Sequence, residues 1–239
     1  MNQKTNVILF LVFYLFSSCA MVKDLPQYHF ADGLYRTSSL GAKKELVYVD
    51  NAEDTILIYP AIKTEGKYYP DLESGLVLVF PQQEVGSPVA RYRFHYPSLD
   101  LDVFTIPVIY RSAVAAVPHQ LSSNLNGQVF FGYRLDRYVM HYDPDPMQFM
   151  KRSVTHYGTS VGLFTGIGST VMNSTVTGDR IIEEYDGMIW SKGLAAIVGI
   201  ESYSVGLAVG FDHLLDRNRR LWLFQGKPWL GLTLGLSIN

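Results

Sequence analysis

From Trp229 to Asn239 the chain alternates with a period of two. Leu230, Leu232, Leu234, Leu236 and Ile238 fall on one face of an extended strand, and Gly231, Thr233, Gly235 and Ser237 fall on the other. A half-buried strand of a soluble sheet keeps a wet face that carries Lys, Glu or Arg. Here one face is aliphatic and the opposite face is small and uncharged, which fits a membrane-spanning strand with lipid on one side and a crowded interior on the other.

The start of the chain points to the same place. Lys4, the apolar run from Val7 to Phe16 and the small residues Ser17 and Ser18 have the form of an export signal. The run is too short for a membrane-spanning helix, which needs roughly 20 apolar residues, so any span must be built from strands. Phe16-Ser17-Ser18-Cys19 resembles a lipobox, which makes Cys19 a candidate lipid anchor. Ordinary cleavage after Ala20, with Ser18 and Ala20 as the small residues, is the competing expectation. Cys19 is the only cysteine, so no intramolecular disulfide can form.

Composition agrees with an envelope address. Charged residues make up 18% of the chain, below the roughly 25% of soluble domains. Tyr is the commonest aromatic residue, and Tyr favours membrane interfaces. A net charge of −2 gives no reason to expect a nucleic-acid partner.

Three regions follow. Residues 1–18 read as the signal peptide and 19–74 as a periplasmic β meander, with strands at Leu34–Thr37, Leu46–Val49 and Thr55–Tyr59. Asn51-Ala52-Glu53-Asp54 is expected to be a turn within it, and Gly66 to Pro70 a linker. Residues 75–239 read as a small antiparallel up-and-down barrel, with 100–239 the clearest part. Its outward faces are Phe104, Ile106, Val108 and Tyr110; Val129, Phe131, Tyr133 and Leu135; Val161, Leu163 and Ile167; Leu194, Ala196, Val198 and Ile200; Val205, Leu207, Val209 and Phe211; and the last strand. Pro107 cannot donate to a ladder and predicts a bulge or a locally open edge. Leu76–Phe80 and Val89–Tyr96 raise the count to about eight strands, the smallest number familiar in such barrels. That count puts a tight turn at Pro97-Ser98 and leaves Asp143–Arg152 as an oddly long connection on the periplasmic side. The fold class is therefore all-β.

No motif compels an enzyme. Gly158-Thr159-Ser160-Val161-Gly162 has the spacing of a nucleophile elbow, but that device needs a strand, a sharp turn and a helix, and here an alternating strand continues. His156 and Ser160, or Asp212-His213, are the residues a lipid acyl-chain hydrolase would use. The parity of the strands sets His156 and His213 at opposite ends. Tyr142-Asp143-Pro144-Asp145 reads as an Asx turn sooner than as a Ca²⁺ site, and no cofactor or metal is expected.

The charges inside the strand pattern say more. Arg111, Arg134, Asp136 and Asp212 lie on the non-aliphatic face, joined by Arg91 and Arg93 if the eight-strand count holds. Charges at membrane depth must face the interior and pair, so a closed network is expected instead of an open pore. Arg217, Arg219 and Arg220 form a basic external loop, suited to the phosphates of lipopolysaccharide and explained equally well as a simply solvated loop.

Several C-terminal segments carry a resemblance: Glu184-Tyr185-Asp186-Gly187, Trp190-Ser191-Lys192-Gly193, Gly210 to Asp216 and Gln225 to Gly231. With Phe104–Arg111 and Gly132–Tyr138, the chain from about residue 100 resembles outer-membrane barrel proteins of Bacteroidota that have no assigned activity. The resemblance implies a barrel in the Gram-negative outer membrane, with outer-membrane lipid as its surroundings. The expected function is structural or interactive and not enzymatic. The main alternative is a periplasmic lipoprotein with a lipocalin-like barrel around an apolar ligand, its aliphatic faces turned inward.

Overall fold

The computed structural model describes residues 30–39, 44–52, 55–73, 78–80, 91–115, 117–144, 146, 150–200 and 203–236. Residues 1–18, expected to be a signal peptide, and Cys19 and Ile238 lie outside them. The strands are β1 (Gly33–Thr37), β2 (Glu45–Ala52), β3 (Thr55–Thr64), β4 (Lys67–Pro70), β5 (Leu78–Phe80), β6 (Tyr92–Arg111), β7 (Gln120–Ser122), β8 (Asn126–Pro144), β9 (Met150–Met172), β10 (Tyr185–Ile200), β11 (Tyr203–Leu214) and β12 (Pro228–Leu236), with one helical turn, α1 (Ser174–Thr177). Ten of the twelve follow one path of pairings, β12-β11-β10-β9-β8-β6-β1-β2-β3-β4, and off it β5 pairs with β3 and β7 with β6. Among the described residues, no helix is long and apolar enough to cross a membrane.

The chain divides into two compact units, one of Met1–Phe94, Met140–Val154 and Asn239, the other of His95–Val139 and Thr155–Ile238. In the first, β1, β2, β3 and β4 are joined as successive antiparallel pairs. The rings of Phe30, Tyr35 and Phe94 meet at centroid distances of 5.1 to 6.1 Å, and Val47, Val49, Ile56 and Ile58 are buried with them. Gly66 to Pro70, expected to be a linker, is instead the turn and return strand of a hairpin, with Thr64 paired to Lys67. Its two turn residues, Glu65 and Gly66, have φ of 52° and 82°. Positive φ at both central positions suits the right-handed twist of paired strands, so a two-residue loop closes where the sequence suggested slack. Leu78–Phe80 pairs with β3 and is not a neighbour of β6.

In the second unit the path of pairings returns to its start, because β12 also pairs with β6. Six strands, β6, β8, β9, β10, β11 and β12, thus share a continuous ring of ladders, where about eight were expected. The difference lies in β6: Val89–Tyr96 and Phe104–Arg111 do not form two strands about Pro97, since residues 92–111 run as one. This also removes the anomaly at Asp143–Arg152, because β8 continues to Pro144 and β9 begins at Met150. Successive antiparallel strands then put the long connections 112–119, 173–184 and 215–227 at one end and the short ones, 145–149 and 201–202, at the other.

Pro107 stands at an irregularity. Leu232 pairs with Val108 but Leu234 with Thr105, so β6 holds one more residue than β12 between those pairs. Such a bulge bends the strand and leaves its extra residue out of the ladder. It also shifts the alternation: Phe104, Ile106, Ile109 and Arg111 are all buried, while Thr105 and Tyr110 are exposed. Phe104 and Ile106 therefore point inward and not outward as the straight count required.

Candidate functional site

The outer face of the six strands is apolar along whole rows of the ladder. Tyr110 pairs with Leu230, Leu230 with Val209, Val209 with Leu194 and Leu194 with Leu163. The next row runs Val108, Leu232, Leu207, Ala196 and Val161. Leu163, Leu194 and Leu207 are each about 60% exposed, at 60%, 58% and 58%. Leu99, Leu101 and Val103 on β6, and Val129, Phe131 and Tyr133 on β8, extend the same exposed face. Near the long-connection end, Trp190 donates through Nε1 to Thr165 Oγ1 at 2.8 Å, and Lys192 Nζ lies 4.6 Å from the centre of its ring. An amphipathic lysine stem of this kind covers apolar surface while its charge stays at the edge.

The inner face is filled. Phe104, Ile106, Ile109, Phe130, Phe164, Ala195, Ile197, Ala208 and Trp229 form one buried cluster. The rings of Phe104 and Phe130 lie 5.9 Å apart, those of Phe164 and Trp229 also 5.9 Å. Glycine is required where backbones or large rings come close: a Cβ on Gly210 would stand 2.4 Å from the Trp229 ring, and one on Gly193 2.1 Å from the carbonyl oxygen of Val209.

Two groups of charges flank this cluster. Toward the long connections, the Arg111 guanidinium contacts the Asp212 carboxylate, with side chains 4% and 0% exposed. Arg111 Nη1 donates to Ser122 Oγ, and Ser191 Oγ donates to Asp212 Oδ1, both at 2.7 Å. The guanidinium carbon lies 5.7 Å from the Trp222 ring centre. Farther down, Arg134 Nε donates to Asp136 Oδ1 at 2.7 Å, the same oxygen is 2.6 Å from His156 Nε2, and Arg134 Nη1 is 3.9 Å from Asp100. Ser160 Oγ donates to the other Asp100 oxygen, and the Tyr138 ring stacks on His156 at 4.6 Å.

Arg111, Arg134, Asp136 and Asp212 thus form two groups and not one network. On β6, Phe104, Ile106 and Ile109 intervene between Asp100 and Arg111, and on β9 Phe164 intervenes between Ser160 and the end with the long connections. Arg91 and Arg93, expected on the same face, are exposed. Asp100, Ser191 and His156 belong to these groups without having been singled out as members. Counting back in twos from Phe104 would have reached Asp100, and the same parity from Gly193 reaches Ser191.

The nucleophile-elbow spacing lies wholly inside β9, so Ser160 is presented by no turn. At about 3.3 Å per residue, His156 stands roughly 13 Å along the strand from Ser160, too far for a nucleophile–base hydrogen bond. His213 lies instead near Trp190, with ring centres 5.7 Å apart. Arg217, Arg219 and Arg220 are exposed on a single 3-10 turn. The Asp216 carboxylate caps that turn by accepting from the Asn218 N–H at 2.7 Å, and it also accepts from the Tyr185 hydroxyl at 2.8 Å. Among the described residues no three His, Cys, Asp or Glu side chains gather as metal ligands.

No protein-family model, curated protein or solved structure matches the chain.

Proposed function

We propose that this protein is a small outer-membrane β-barrel of a Gram-negative envelope, closed by six strands, with a structural or interaction role and no catalytic one. The observation that carries the reading is the apolar outer face, of which the row from Tyr110 through Leu230, Val209 and Leu194 to Leu163 is one wholly apolar course. Soluble monomers rarely expose contiguous apolar patches beyond a few hundred Å², and hydrocarbon is the solvent that such a surface suits. The ring strands are 9 to 23 residues long, against the roughly 9–11 residues a tilted spanning strand needs.

Six strands enclose less room than the eight that side chains can only just fill. The inward glycines and the Phe104–Trp229 cluster suit that narrowness, and they favour a plugged interior over a conducting one. The long connections suit the external side, where Arg217, Arg219 and Arg220 would meet lipopolysaccharide phosphates. Export and the anchor at Cys19 enter this reading from the sequence alone, as does the resemblance to Bacteroidota proteins. A lipocalin-like carrier would need its aliphatic faces turned inward, and the exposure of Leu163, Leu194 and Leu207 counts against it.

The test is to run isolated outer membranes on a gel with and without boiling. A closed, detergent-resistant barrel migrates faster unboiled. An unshifted band, together with release of the protein by an alkaline wash, would sink the proposal.

A further inference from the structure

β12 leaves β6 before it leaves β11. Among the described residues its last pair with β6 is Leu234 with Thr105, whereas against β11 the pairing goes on through Ser204 with Gly235 to Tyr203 with Leu236. A groove of about 810 Å³ lies at this parting, wholly within the second unit and inside the range of roughly 300–1,000 Å³ typical of ligand pockets. One bank is Val103 and Thr105 of β6, and the other is the ladder row Leu234, Val205 and Val198. The groove opens on the outer face, where Val103, Val198, Val205 and Leu234 are between 46% and 66% exposed. Gly127 also lines it, and a Cβ there would meet nothing within 4 Å.

A strand edge freed by such a parting ordinarily invites another strand, but this one is closed from within. The Val103 N–H donates to the carboxylate of its own neighbour Asp102 at 2.7 Å. The polar side chains of the wall are likewise turned to the chain's own backbone. Thr105 Oγ1 donates to the Asn126 carbonyl at 3.1 Å, and the Asn126 amide accepts from the Ile106 N–H and donates to the Ile106 carbonyl, both at 2.7 Å. What the groove offers a ligand is therefore chiefly hydrocarbon contact, and apolar cavities take apolar guests. Tyr203, 74% exposed beside the β10–β11 connection, stands at the short-connection end of the groove, and a tyrosine suits the level of lipid headgroups. We propose that this groove holds an acyl chain of a diacyl phospholipid along the parting of β6 and β12, with the headgroup toward Tyr203. The proposal rests on the membrane reading, since the bilayer supplies the lipid and surrounds the face on which the groove opens.

The experiment reconstitutes the full-length protein into vesicles of dioleoylphosphatidylcholine, floats them, re-extracts the protein in detergent and weighs it by native mass spectrometry. One phospholipid should stay with each chain. Gly127→Phe, which puts a ring into the open space of the groove, should lower the lipid-bound fraction about tenfold, the worth of roughly two buried methylene groups. Val198→Trp narrows the groove from the opposite bank and serves if Gly127→Phe does not fold. Leu163→Phe, on the same outer face but outside the groove, should keep the lipid. The proposal is overturned if the unaltered chain emerges bare, if it emerges as a lipid-free pair of copies, or if the three variants hold lipid alike. Flotation separates two failures: a protein that does not float with the vesicles sinks the membrane reading and the lipid site with it, whereas one that floats and emerges without lipid sinks the lipid site alone.

Discussion

Gly162 lies against Gly132 so closely that a Cβ added to Gly162 would stand 2.4 Å from the Cα of Gly132 and 2.3 Å from the carbonyl oxygen of Phe131. Both obstacles are backbone atoms, which cannot swing aside as the end of a side chain can. The small face of each strand is therefore a condition for bringing β8 and β9 together over a core already occupied by Phe130 and Phe164.

Gly162→Ala should destabilise the protein by about 1–3 kcal/mol or block assembly, as overpacking does. Gly199→Ala is the control, since its added Cβ would meet nothing closer than 3.7 Å and should change stability by less than about 0.5 kcal/mol. Urea unfolding midpoints in one detergent measure both.

Breaking the buried Arg111–Asp212 pair from one side leaves a charge without its counterpart. Asp212→Asn is expected to cost about 3–5 kcal/mol, whereas the double substitution Arg111→Met with Asp212→Leu should recover much of that loss. If the single and double variants unfold at the same denaturant concentration, the pair is not acting as a unit.

Leu207 sits in the middle of an exposed apolar row. At a bilayer midplane Leu207→Arg should cost about 2–4 kcal/mol, while a residue facing water would tolerate the change within about 0.5 kcal/mol. Unfolding from lipid vesicles distinguishes these values, and a neutral result would argue that the outer face meets water.

The bulge at Pro107 predicts an asymmetry between two deletions. Removing Pro107 leaves Ile106, Ile109 and Arg111 on the inner face in simple alternation, so the folded, faster-migrating form should persist. Removing Val103 instead turns Asp100 and Asp102 outward and Leu99 and Leu101 inward, because one residue reverses every side chain beyond it. That form should be lost.

The sequence was a good guide where strands are regular. The outward residues of β9, β10 and β11 follow from period two alone, because a strand with aliphatic residues on one face and small ones on the other has no conflicting signal. It was a poor guide along β6. Pro97 looked like a turn although the strand passes through it, and the bulge at Pro107 reversed the faces of Phe104 and Ile106 for anyone counting straight across. The partition of Arg111 and Asp212 from Arg134 and Asp136 depends on which registers the six ladders adopt, and a single sequence does not state registers.

The ladder that joins Trp229 to Arg111 has a consequence for how the molecule is made. It links the end of the chain to a strand completed more than a hundred residues earlier, and contacts so distant in sequence form slowly. Until β12 has been synthesised, β6 and β11 both present bare edges that any other strand can join. A chain that lacks β12 would therefore be not a slightly shorter protein but an adhesive one.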